Sequence, residues 1–278
     1  MKTIRHTDLL VLAIISMLLL ASGFSAQVFA KTHYTFAFVP QQSAKKLAQK
    51  WQPILDYLEQ QTGDRYQFTT ARNIPTFETR LADAQYDIAY MNPYHFTVFN
   101  EKPGYQALVK QRNKRIKGII VVRKDSPIQS LDDLAGQTIA FPAPAAFAAT
   151  LLTSAEFHLR NIQITPRYVS SHDSVYLNVA KNFMPAGGGV MRTFGNTDPK
   201  VRQTLRVLWT TPEYTPHAIA IKQSLPAEVS ARLQQALLTM HQSETGIALL
   251  KNVNFNGFEP AENRDWDDVR ALGLTVIK

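Results

Sequence analysis

The sequence has 278 residues, 45% hydrophobic and 19% charged, with a formal net charge of +8 at pH 7. Such a composition excludes a disordered polymer and gives core enough for one large domain or two lobes of ordinary size. Cysteine is absent, which excludes disulfides, thiolate metal sites, a cysteine nucleophile and a lipid-modified N-terminal cysteine.

The first thirty residues do not read as part of the fold. Lys2 and Arg5 precede an apolar run from Leu9 to Leu20, and Val28-Phe29-Ala30 supplies small residues at the −3 and −1 positions of a signal-peptidase site. Cleavage after Ala30 and release into the periplasm are expected. The alternative is a retained anchor, but the run is short for a bilayer span and no later stretch is long enough to be one. The positive charge that remains favours anionic ligands, although the basic residues are scattered and the densest cluster is Lys110 to Lys117.

The mature chain opens on Tyr34 to Val39, an alternating, aromatic-rich strand that ends at Pro40. Gln41-Gln42-Ser43 is a polar turn, and Leu47, Trp51, Ile54, Leu55 and Leu58 mark the apolar stripe of a helix ending near Gly63, with a bend expected at Pro53. Tyr66 to Thr70 reads as a second strand and Ile74 to Ala84 as a second helix. Ile88 to Met91 is a short strand running into Asn92-Pro93, a cap and first position for the next helix.

Two strands, Gln106 to Lys110 and Lys117 to Arg123, flank a basic turn. Ser130-Leu-Asp-Asp133 resembles a capping box before a short helix. Next comes Gln137 to Leu152, a brief strand, a proline-rich turn and a helix start that points free backbone N–H groups outward, the geometry of an anion site. Ile164 to Val169 is a further strand, followed by Ser170-Ser-His-Asp-Ser174 opening a helix. Three glycines in Ala186 to Val190 mark a close approach of backbones or a loop, with Arg192 just beyond. Val207 to Thr210 and Ala218 to Ile221 are strands around a Pro-rich crossing, and the remainder is helical: from Pro226, near Thr245 to Leu250, and around Trp266 to Leu272.

The segments FVPQQSAKKLAQKWQPILDYLEQQTG, YDIAYMNPYHF, SLDDLAGQTIAFP, SHDSVYLNVA and AGGGVMRTF, in that order, resemble the solute-binding proteins of ABC importers for phosphate, phosphite and phosphonate. The resemblance covers nearly the whole mature chain and implies an α/β, two-lobed type II periplasmic-binding-protein fold. Residues 31–113 with 212–278 would form one lobe and 114–211 the other, the two joined by crossovers near Lys110 to Gly118 and Leu208 to Ala220. It also implies a ligand set: Gln41, Gln42, Asn92, Tyr94 and His95 from one side, and the amides of Ala145, Ala146 and Phe147 with His172, Ser174 and Arg192 from the other. Where many phosphonate binders have a hydroxyl-rich turn, this chain has Pro142-Ala-Pro-Ala-Ala146.

The expected partners are a small oxyanion and an ABC permease, bound by a monomer that carries no cofactor or metal. A membrane sensor kinase is the alternative partner. An exported hydrolase is a third reading. Against it, the sequence has no G-x-S-x-G elbow and no H-E-x-x-H, and His172-Asp173-Ser174 are adjacent rather than convergent by necessity. No basic stripe interleaved with aromatics supports nucleic-acid binding.

Overall fold

In the computed structural model, which describes residues 33–277, the β-favouring runs assemble into two separate sheets. The signal segment expected at residues 1–30 lies outside the described residues. The strands of the N-terminal half are β1 (His33–Phe38), β2 (Arg65–Thr69), β3 (Ile88–Met91) and β4 (Gln106–Gln111). Those of the middle are β5 (Gly118–Arg123), β6 (Thr138–Phe141), β7 (Thr165–Tyr168), β8 (Ala186–Val190) and β9 (Leu205–Thr210), and the chain returns in β10 (Ala218–Ile221) and β11 (Phe258–Pro260).

The first sheet has the order β11-β4-β10-β3-β1-β2, and the second β7-β6-β8-β5-β9. In the first, β1 runs parallel to β2 and β3, while β10 enters antiparallel between β3 and β4. In the second, β6 is parallel to β7 and β8, and β5 is antiparallel to β8 and β9. Parallel strands need helical crossovers, so their carboxyl ends open into strand-to-helix turns where ligands gather.

Among the described residues, five helices of eight or more residues follow such ends. These are α1 (Ala44–Thr62), α2 (Ile74–Ala82), α3 (Pro93–Glu101), α4 (Leu152–Leu159) and α5 (His172–Ala180). Local sequence sets their starts: the side chains of Ser43, Asn73, Asn92 and Ser171 each accept a first-turn amide at α1, α2, α3 and α5. Gly63 closes α1 at φ 78°, a left-handed value that costs glycine nothing. Despite Pro53, α1 is one helix of 19 residues, and it buries Leu47, Trp51, Ile54, Leu55 and Leu58 on the expected face.

The two crossings lie side by side. Ile116 N donates to Tyr214 O at 2.8 Å and Tyr214 N to Ile116 O at 3.1 Å, and Thr211 N reaches Gly118 O at 3.0 Å. At the C-terminal end, buried Trp266 hangs its indole N–H on Pro216 O at 2.8 Å, tying the second crossing to the first half.

Three local expectations change. The glycine run is the strand β8 rather than a loop. Cβ atoms at its three glycines would overlap Val175, the Ala149 carbonyl and Tyr176, so bare backbone is what lets the neighbouring helices sit against the sheet. The helix after the proline-rich turn opens with a π-helical turn, Phe147–Leu151, before α4. The capping box expected at Ser130 keeps only its return arm: Asp133 accepts the Ser130 amide at 2.9 Å and the Gln129 amide at 2.8 Å, ahead of a 3-10 turn.

Candidate functional site

Four turns converge between the sheets: Gln41–Gln42 after β1, Asn92 after β3, Ala143–Ala149 after β6 and Arg192 after β8. Ala143 and Ala145 to Ala149 are buried in the same apolar cluster as the first sheet's core, although their strand belongs to the second. The contact is sealed by polar bonds. Asn92 Nδ2 donates to Ala145 O at 3.2 Å while its Oδ1 caps α3 through His95 N, and His172 N donates to Gln41 O at 3.1 Å. Outside these, Asp173 accepts Lys46 Nζ at 2.9 Å and Gln42 Nε2 at 3.3 Å.

Arg192 is the electrostatic centre. Its guanidinium lies 5.6 Å from the Tyr90 ring centroid and 5.7 Å from that of Phe255, and Nη2 donates to Gln41 Oε1 at 2.9 Å. That bond fixes the amide orientation of Gln41, so Gln41 Nε2 must donate to His217 Nε2, 2.9 Å away. His217 therefore carries its proton on Nδ1. Its ring stacks on Tyr90 at 5.0 Å. Among the described residues no carboxylate lies within 4 Å of Arg192, and the guanidinium has only a neutral amide and two π faces as partners. Burial first, then Arg192, lowers the Lys50 pKa, a further sign of uncompensated positive charge.

A cavity of about 10 Å³ lies at the junction, bordered by Gln41, Asn92, Ala146, Phe147, His172 and His217 among others. It has room for about one water. No side chain caps the helix that begins at Phe147. The Ala146 N–H is engaged by Ala143 O at 3.3 Å, whereas those of Ala145 and Phe147 have no acceptor among the described residues.

The residues expected from the sequence do not all meet here. Tyr94 is buried with its hydroxyl accepting Ile277 N at 3.0 Å. His95 is fully buried between Phe77 and Phe99, with Nε2 2.9 Å from Glu78 Oε1. Both belong to a helix whose first turn is entirely buried, and neither side chain borders the cavities at the junction. The Ser174 hydroxyl is 2.9 Å from that of Ser171 and borders none of the cavities at the junction. Tyr90 and His217 were missed. Tyr90 reads as an ordinary strand residue and His217 follows a proline in a crossing, so neither carries a motif.

Burial, with Arg192 adding to it, pulls the His172 imidazole down from 6.5 to about 3. Burial again, then Arg192, His95 and His172, holds His217 well below 6.5. Both rings are neutral in the folded chain at pH 7. The unfolded chain takes up these protons near pH 6.5, so between about 6.5 and 3 it binds more protons than the folded chain, and stability falls as the pH falls through that window. His172→Gln is expected to flatten this acid limb by up to about 1.4 kcal/mol per pH unit. Urea denaturation at several pH values reads the slope; an unchanged slope would mean that the ring titrates as in water.

Residues 36–266 match the sequence profile of the family described as ABC transporter, phosphonate, periplasmic substrate-binding protein. The chain belongs to this family. Members of the phosphonate-binding family are transporter binding proteins rather than enzymes, and their substrate-binding role is extracytoplasmic. Among curated relatives, the phosphate-import protein PhnD of Mycolicibacterium smegmatis is 22% identical, over 91% of this chain and 83% of its own length. Among solved structures, a binding protein component of an ABC phosphonate transporter from Pseudomonas aeruginosa superposes with a TM-score of 0.81 at 17% identity, covering 87% of this chain and 86% of that one. PhnD1 of Prochlorococcus marinus in complex with methylphosphonate gives 0.79 at 16% identity, covering 87% and 97%. The structural neighbours share the two-lobed fold, in keeping with the two separate sheets of this chain.

Proposed function

We propose that this binding protein captures a small tetrahedral oxyanion of phosphorus, such as phosphate, phosphite or an alkylphosphonate, between its lobes and delivers it to an ABC importer. The observation that carries the reading is Arg192, a partly buried guanidinium between the two sheets with no carboxylate partner among the described residues. A phosphorus oxyanion displaces the neutral Gln41 oxygen because a charge-assisted, forked pair is stronger than a neutral hydrogen bond.

The remaining donors fit the same guest. The Ala145 and Phe147 amides supply the positive end of a helix, neutral His217 offers Nδ1–H, and Asn92, Gln42 and His172 border the entrance from both lobes. Admission of an anion requires the 10 Å³ cavity to widen, and the paired crossings are where a hinge would flex. In this reading the mature chain starts after Ala30. Its lobes are residues 31–113 with 212–278, and residues 114–211, and one chain makes the whole site.

The test is a thermal-shift panel of phosphate, phosphite, methylphosphonate, sulfate and arsenite, followed by calorimetric titration of each hit. At least one phosphorus oxyanion is expected to stabilise the protein by about 2.7 kcal/mol when present at a hundred times its Kd. A folded protein that responds to none of them has another ligand class.

A further inference from the structure

Beside the small cavity is a larger one, and Arg192 and His217 of the oxyanion site stand on its wall. Its volume is about 460 Å³, in the range of small-molecule sites, and it lies along the two crossings on one side and Val190 to Gly195 on the other. Ile116, Val190 and His217 border both cavities, and Arg192 stands at the wall of the larger one. A molecule whose acid group meets Arg192 therefore has adjoining space for a substituent.

The charges on that space are one-sided. Lys114, Arg115, Lys117 and Arg192 border it, and among the described residues Glu213 is the one carboxylate that does. Lys117 is paired with Glu213 at 2.7 Å and Arg115 with Asp268 at 2.8 Å. Among the described residues, Lys114 and Arg192 have no carboxylate within 4 Å. A cationic substituent would face like charge there, and a purely aliphatic one would leave the two cations without a partner.

We infer that the larger cavity receives the ligand's substituent and that this substituent is itself anionic, so that the preferred ligand class is a phosphonate or phosphate monoester carrying a second negative group such as a carboxylate. The inference rests on the oxyanion reading of Arg192.

Calorimetric titration of the mature protein with methylphosphonate, 3-phosphonopropionate and 2-aminoethylphosphonate tests it. The carboxylate-bearing ligand is expected to bind at least about tenfold more tightly than methylphosphonate and the amine-bearing one more weakly, with the gain shrinking as salt rises from 0.05 to 0.5 M. Lys114→Glu should remove most of the gain while methylphosphonate binding stays as it was, and Lys114→Arg should retain the gain. Tight methylphosphonate binding with no gain from the carboxylate, or tighter binding of the amine, overturns this inference and leaves the oxyanion site standing. Failure of all three ligands overturns both.

Discussion

Arg192→Ala is expected to weaken oxyanion binding by about a hundredfold or more in calorimetric titration, because truncating one partner of a desolvated charge pair costs about 2–5 kcal/mol. Among the described residues, the guanidinium is the one charge that touches both the Gln41–His217 chain and the aromatic wall of Tyr90 and Phe255. Arg192→Lys keeps the charge but loses the fork, so it should recover only part of the affinity. The fold itself should tolerate the change. Burial is the main cause that lowers Lys50, His172 and His217, and Arg192 adds to it at all three, so relief of that added repulsion offsets part of the lost cation–π contacts. NMR titration of Arg192→Ala should show both imidazoles moving up towards 6.5. Wild-type affinity in a folded Arg192→Ala protein would remove the guanidinium from the site.

The second large effect is on stability. Gly118 on β5 and Gly188 on β8 lie beneath the first turns of the helix that opens at Phe147. A Cβ at 118 would run into the Ala148 carbonyl oxygen and come within 2.8 Å of Thr211 Cγ2, and one at 188 would run into the Ala149 carbonyl and the Phe141 ring. These obstacles include helix backbone, which cannot rotate away. Gly118→Ala and Gly188→Ala should each cost about 3 kcal/mol, which lowers Tm by roughly 6–12 °C for a chain of this size. Binding should weaken as well, since displacement of that turn moves the Ala145 and Phe147 amides. Gly195→Ala, whose added methyl meets nothing within 4 Å, is the control and should leave Tm unchanged. A wild-type melting curve for Gly118→Ala would mean that the helix start is not held against the strand.

Much of this architecture is written in short-range signals. Alternation marked β1, the apolar stripe from Leu47 to Leu58 marked α1, and Asn92-Pro93 marked the start of α3, because each signal acts within one or two turns of chain. What escaped depends on distant partners. Ala-Gly-Gly-Gly-Val has little strand propensity of its own and becomes β8 because helices on both faces need its missing side chains. Three-residue β11 exists only by pairing with β4. At the site, Gln41 and Arg192 were named through the family resemblance, whereas the direction of Tyr94 and His95 is set by burial of their whole helix turn. His217 entered through a bond to a residue 176 positions away.

The mutual backbone pairing of Ile116 and Tyr214 turns two separate connectors into one ribbon. In the proposed reading neither strip twists without carrying the other, so opening of the lobes is expected to follow one swing rather than independent shear or rotation. An inserted residue in either strip would alter the angle of that swing, and with it the shape of the protein that any membrane partner meets.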